Sequence, residues 1–176
     1  MSNQHGAGRR QLGAPETLAL SSATPAGVWL DTEWQRLWLA IESRPWSSLA
    51  LIPGGDGAPP DFTLLVAVAL SRTGMVHVGS PIQVADATRV PLNQLTAFLS
   101  ELRRCTINGE RVLVALPPAT SSPITSAIAQ AVDAALLCIL LEKMLSSQAK
   151  RTVKQLGASR FLGSAIFHPS QLADVK

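Results

Sequence analysis

The sequence predicts an α/β fold with a mostly parallel central sheet and helices on both faces. Three observations carry this: short uncharged apolar runs, helix-like segments between them, and turn residues at the boundaries. The clearest run is Arg111 to Leu116, followed by Pro117-Pro118 and a helix opened at Pro123. An apolar run of that length without polar alternation fits an inner parallel strand buried on both faces. Strands that alternate with helices of about 10–15 residues imply β-α-β crossovers, and hence a parallel sheet.

The remaining elements follow in order. Residues 1–27 are rich in Gly, Ser, Ala, Gln and Pro without periodicity and are expected to form a mobile tail. A helix is expected from Asp31, with Trp34, Leu37, Trp38 and Ile41 on one face, Asp31 or Thr32 as its cap, and Pro45 as its end. Ser48 to Ile52 is a first strand, and Pro53-Gly54-Gly55-Asp56-Gly57-Ala58-Pro59-Pro60 a glycine-rich turn. The next helix is predicted from Asp61 to about Arg72 with Gly74 as its stop, then a second strand at Met75 to Val78 and a short third one at Ile82 to Ala85. Leu92 to Arg104 forms an amphipathic helix closed by an Asn108-Gly109 turn. After the strand at Arg111 come a helix from Pro123 to Val132, a strand from Ala134 to Leu141, a helix from Leu145 to Leu156 stopped by Gly157, and a last strand from Arg160 to Phe167.

Composition narrows the function. A length of 176 residues fits one domain, and 47% hydrophobic residues suffice for a substantial core. The net charge of +3 is spread thinly over the chain, without the basic stripe of a nucleic-acid binder. Cys105 and Cys138 show no metal or redox spacing and are expected to be buried thiols. The first 25 residues lack the apolar core of a signal peptide. Ala127 to Leu141 is too short, and with Asp133 too polar, to span a bilayer, which takes about 20 apolar residues. A cytoplasmic protein is expected, one that can still sit at the inner membrane through a partner.

A strand, a glycine-rich turn and a helix, followed later by a strand ending in Pro-Pro, form the layout of a P-loop nucleotide-binding domain. The stretch VLVALPPATSSPITSAIAQAVDAALLCILLEKMLSSQAKRTVKQLGASRFLGSAIF resembles the second half of the bacterial exopolysaccharide tyrosine autokinases, relatives of the MinD/ParA ATPases. In that family a strand ending in Asp-x-Pro-Pro precedes a Ser/Pro helix, an Ala-Asp-led strand, a basic helix and a Leu-Gly strand. Glu33-Trp34-Gln35-Arg36 is similar to the start of the family's E-x-x-R-x-x-R helix, and Gly55-Asp56-Gly57 stands where its G-E-G-K-S loop begins. The resemblance spans Asp31 to Phe167, with Val78 to Ile82 much shortened. It implies a three-layer Rossmann-like P-loop domain over residues 28–170, with a C-terminal tail at 171–176.

The departures from the family pattern point away from its chemistry. The resemblance puts Ala58 at the phosphate-binding lysine and Pro59 at the magnesium-binding hydroxyl, while Pro59 and Pro60 have no N–H to offer a phosphate. Asp61 adds a carboxylate at the helix N-terminus, where it repels an anion. The metal-side aspartate falls on Ala115, and the second-strand acidic motif on His77-Val78-Gly79-Ser80. The first lysine in the chain is Lys143, and there is no tyrosine to phosphorylate. Gly54, Gly55, Gly57, Ala58 and Pro59 therefore read as a degenerate loop, its glycines kept for positive φ, with no cofactor and no metal. Asp133 reads as a cap before a buried strand, and His77 as a structural histidine.

Two functions stay open on the sequence. One is a catalytically inactive scaffold that binds a protein partner, such as an inner-membrane component of polysaccharide synthesis. The other is a small enzyme or ligand-binding protein that reuses the crevice at the strand ends near Ser80, Pro117 and Thr120. Interaction residues are expected at Glu33, Trp34, Arg36, Trp38, Leu39 and Trp46. Trp34 and Trp38 also fit a core face, and Trp29 and Trp46 fit either reading. In the resembling family the E-x-x-R-x-x-R helix joins subunits into rings. Leu39 in place of the last arginine implies instead a homodimer or hetero-complex through Glu33 to Ile41.

Overall fold

The computed structural model describes residues 31–173 and 175. Five strands, β1 (Ser48–Pro53), β2 (Ile82–Asp86), β3 (Arg111–Ala115), β4 (Ala134–Leu140) and β5 (Phe161–Phe167), form one sheet in the order β2-β3-β1-β4-β5. Every pairing is parallel. The expected α/β fold with a parallel sheet between helices is therefore present. The expected tail at 1–27, and Trp29, lie outside the described residues.

Side chains alternate along the inner strands between two cores, as the pleat requires. Leu49 and Leu51 of β1, Leu113 and Ala115 of β3, and Leu136, Cys138 and Leu140 of β4 face one core. That face is covered by α1 (Thr32–Ile41), α2 (Phe62–Val78) and α6 (Pro169–Ala173). Ala50, Ile52, Val112, Val114 and Ala135 face the other core, beneath α3 (Leu95–Ile107), α4 (Pro123–Ala131) and α5 (Ser146–Leu156). Leu172 and Val175, within the stretch expected as a C-terminal tail, are buried in the first core.

Asp31 caps α1 by accepting a hydrogen bond from the Glu33 N–H at 3.2 Å. Asp133 plays the structural role expected of it: its carboxylate accepts the N–H groups of Ser47 and Ser48 at 2.8 and 2.9 Å and so ties the start of β1 to the start of β4. Of the two thiols expected to be buried, only Cys138 is fully so. Cys138 is fully buried in β4 and Cys105 half-buried in α3, and burial raises the pKa of both.

One element departs from expectation. Met75 to Val78 is the last turn of α2, and the helix ends at Gly79, whose φ of 71° is left-handed. Gly74 is an interior helical residue; a Cβ there would overlap the Trp38 ring and the Ile82 side chain. The glycine serves close packing of α2 on α1 and β2, and so does not stop the helix. A helix apolar all round its surface loses the amphipathic signal, and Val76 and Val78 after a glycine then imitate a strand. His77 consequently sits on an exposed helix turn, and the second strand is Ile82–Asp86.

Candidate functional site: the crevice at the strand ends

In open parallel sheets the strand C-termini and the loops after them form the usual ligand crevice. Here β1 ends at Pro53, β2 at Asp86 and β3 at Ala115, and their loops surround a crevice of about 300 Å³. Its walls include Pro53, Pro59, Pro60, Pro117 and Pro118, with Asp56, Thr88 and Ser121 as polar groups. Pro117 belongs to this site, as expected, and Thr120 borders it. Ser80 does not, because α2 extends to Val78 and leaves Ser80 before β2, at the opposite end of the sheet.

Short hydrogen bonds hold the walls. Thr63 donates to the Leu116 carbonyl at 2.9 Å and Thr125 to the Pro117 carbonyl at 2.9 Å, satisfying the backbone where β3 leaves the sheet. The Thr120 hydroxyl donates to the Asp56 carboxylate at 2.5 Å, joining the loop after β1 to the loop after β3. Asp86 accepts the backbone N–H and the hydroxyl of Thr88 at 2.9 and 2.6 Å, an Asx turn at the exit of β2. The second strand therefore ends in an acidic residue, Asp86, paired in register with Ala115. An Asp followed two residues later by a hydroxyl, directly after an apolar run, is the signal that marks it.

The glycine-rich loop has a different physical basis from the one expected. Positive-φ glycines among the described residues are Gly79, Gly109 and Gly157, and none of the loop glycines is among them. What Gly55 and Gly57 provide is space. A Cβ on Gly57 would overlap the carbonyl oxygen of Lys143, and one on Gly55 would overlap the Gln148 side chain. At Gly54 a Cβ would meet Ala149 and Ile139 at 3.4 Å, and the Gly54 N–H already donates to the Cys138 carbonyl at 2.8 Å. The loop is therefore packed against the segment between β4 and α5. Ala58 is half-buried, and Pro59 and Pro60 are exposed.

The residues expected at an interface divide. Trp34, Trp38 and Trp46 are buried, at 3%, 1% and 6% exposure, so they belong to the core of this chain. Trp38 meets Trp46 edge-on at 6.0 Å, and Trp34 lies 5.6 Å from Phe167. The Trp46 indole N–H donates to the Ile41 carbonyl at 3.0 Å. Arg111 lies over the Trp46 ring at 3.6 Å and pairs with Glu42 at 2.5 Å, closing this cluster at the N-terminal edge of the sheet. Glu33, Arg36 and Leu39 remain exposed, but Glu33 and Arg36 pair with each other at 2.9 Å within the helix. Four closely spaced tryptophans suit a core as well as a surface; the i, i+4 spacing of Trp34 and Trp38 on the apolar stripe was the deciding signal.

Among the described residues no helix is long and apolar enough to cross a membrane. No family model matches the chain, and no curated protein matches it. Among solved structures it is similar to a chain described as "BceF Tyrosine Kinase Domain", with a TM-score of 0.49 and 15% identity over 75% of this chain and 72% of that one.

Proposed function

We propose that this chain is a nucleotide-independent, catalytically inactive α/β scaffold that acts by binding a protein partner. The observation that carries this reading is the packing of the loop after β1. A phosphate cradle needs open space and free N–H groups on the loop's inner side. Here Gly55 and Gly57 are pressed against Gln148 and the Lys143 carbonyl, and Pro59 and Pro60 bring no N–H. Asp56 brings negative charge to the crevice wall, and Asp86 holds Thr88 of that wall, so a triphosphate would be repelled there. The setting in bacterial exopolysaccharide or cell-envelope assembly, at the inner membrane through that partner, rests on the sequence resemblance alone.

Calorimetry with ATP and magnesium tests the reading. No heat of binding is expected up to millimolar ATP. Micromolar binding that is lost in Lys143→Ala or Gly57→Ala would overturn it, since Lys143 is the lysine whose backbone reaches the loop. The crevice of about 300 Å³, with Asp56, Thr88 and Ser121 in its wall, favours a second reading: an uncharged or cationic small ligand bound there. Thr120→Val, which opens the link to Asp56, would weaken such a ligand and leave partner binding intact.

A further inference from the structure

The helices on the second face of the sheet stop one strand short of its edge. In the β4–β5 register Ser164 lies opposite Leu137 and Ile166 opposite Ile139, all pointing away from the core that holds Ala165 and Phe167. Leu137 is 5% exposed beside α5, whereas Ser164 is bare and Ile166 is 59% exposed. A shallow open groove of about 350 Å³ lies beside α5, lined by Leu137, Ala149, Val153 and Ala158, with Lys150 and Lys154 on its rim, and the exposed Ser164 and Ile166 of β5 lie next to Leu137 and Ile139 in the sheet. On its other face the same strand is covered, with Phe167 against Trp34 and Phe62.

We infer that this groove docks an acidic amphipathic helix of a partner protein, laid beside α5 over β5. The vacant position is that of one more helix in the layer formed by α3, α4 and α5. A helix of about three turns, some 16 Å long, would match α5 in length. Charge selects the occupant. α5 carries Lys150, Arg151 and Lys154, all exposed, and no acidic residue. A second copy docking through the same face would set these cations against themselves. The chain's own first 30 residues carry Arg9 and Arg10 against Glu16 alone, so their charge does not match either. A helix with a leucine stripe for Leu137, Val153 and Ile166 and glutamates for Lys150 and Lys154 meets both requirements.

The inference deepens the partner-binding reading, and calorimetry with ATP stays independent of it. The full chain is titrated with labelled leucine-striped helical peptides, flanked by glutamate or by lysine, and followed by fluorescence anisotropy. The glutamate peptides should bind, the lysine peptides should not, and added salt should weaken the binding. Lys150→Glu combined with Lys154→Glu, and separately Ile166→Glu, should each lower affinity about tenfold or more with the melting temperature unchanged. Absence of glutamate-peptide binding, equal affinity for both peptides, or indifference to these variants overturns the inference. So does the converse result, in which vesicles of phosphatidylcholine and phosphatidylserine bind the chain, the same variants abolish it, and the peptides do not bind.

Discussion

The two faces of the sheet are built from different material. The first is aromatic: Trp34, Trp38, Trp46, Phe62 and Phe167 fill it, and Arg111 lies over the indoles at one end. The buried residues of the second are smaller, with Ala50, Ala119, Ala129 and Ala135 among Ile, Val and Leu, and its rings, Phe98 and Phe161, are only partly buried. Rings of α1 and α2, Trp34 and Phe62, reach Phe167 on the edge strand, so the first face is covered out to β5. Small side chains let α3, α4 and α5 sit close to the inner strands, and the cover ends at α5. Side-chain size on a sheet thus sets how far its helices protect it, and a protein can leave an edge strand bare on one face only.

The largest expected effect breaks the aromatic face. Trp38→Ala removes a side chain that is 1% exposed and should cost about 3–5 kcal/mol, a large part of the ~5–15 kcal/mol that holds a domain together. Urea unfolding measures this, and a loss below about 1.5 kcal/mol would remove the distinction between the faces.

Gly74→Ala sharpens the comparison because two effects compete. In an ordinary helix the change gains about 1 kcal/mol. Here the new methyl overlaps Trp38 and Ile82 in a packed core, an overpacking that costs typically 1–3 kcal/mol. A net loss of about 1–2 kcal/mol is expected, and it should shrink when Trp38→Leu makes room. A stabilised Gly74→Ala would show that α2 does not rest on the tryptophan.

Most of the architecture was legible because the inner strands are short apolar runs with turn residues on both sides, as in Arg111 to Ala115. What escaped was the end of α2, where uniform apolarity erased the helical period and Gly74 imitated a stop. The position of the crevice followed from the strand ends. Its packing did not, because the partners of Gly55 and Gly57 come from Lys143 and Gln148, and no local signal relates segments so far apart. The groove beside α5 was equally hidden, since the basic residues near Lys150 look like any solvated helix face until β5 is seen uncovered next to them.

The smallest expected effect belongs to the bare face. Ile166→Glu should change stability by no more than about 0.5 kcal/mol, since the side chain is 59% exposed. Thermal unfolding checks it, and a loss of several kcal/mol would mean that Ile166 is part of a core after all.

The central position of β1 has a consequence for how the chain comes into being. Among the described residues β1 is the first strand in the chain, yet both its neighbours, β3 and β4, lie far downstream, and the Glu42–Arg111 pair that closes its lower edge spans 69 residues. At a synthesis rate of 5–20 residues per second, roughly 3–14 s pass between the two halves of that pair. For most of that interval the apolar run Leu49 to Ile52 has been made and has no strand to join. A chaperone or the ribosome surface is expected to shield it, and fragments truncated before Arg111 should aggregate.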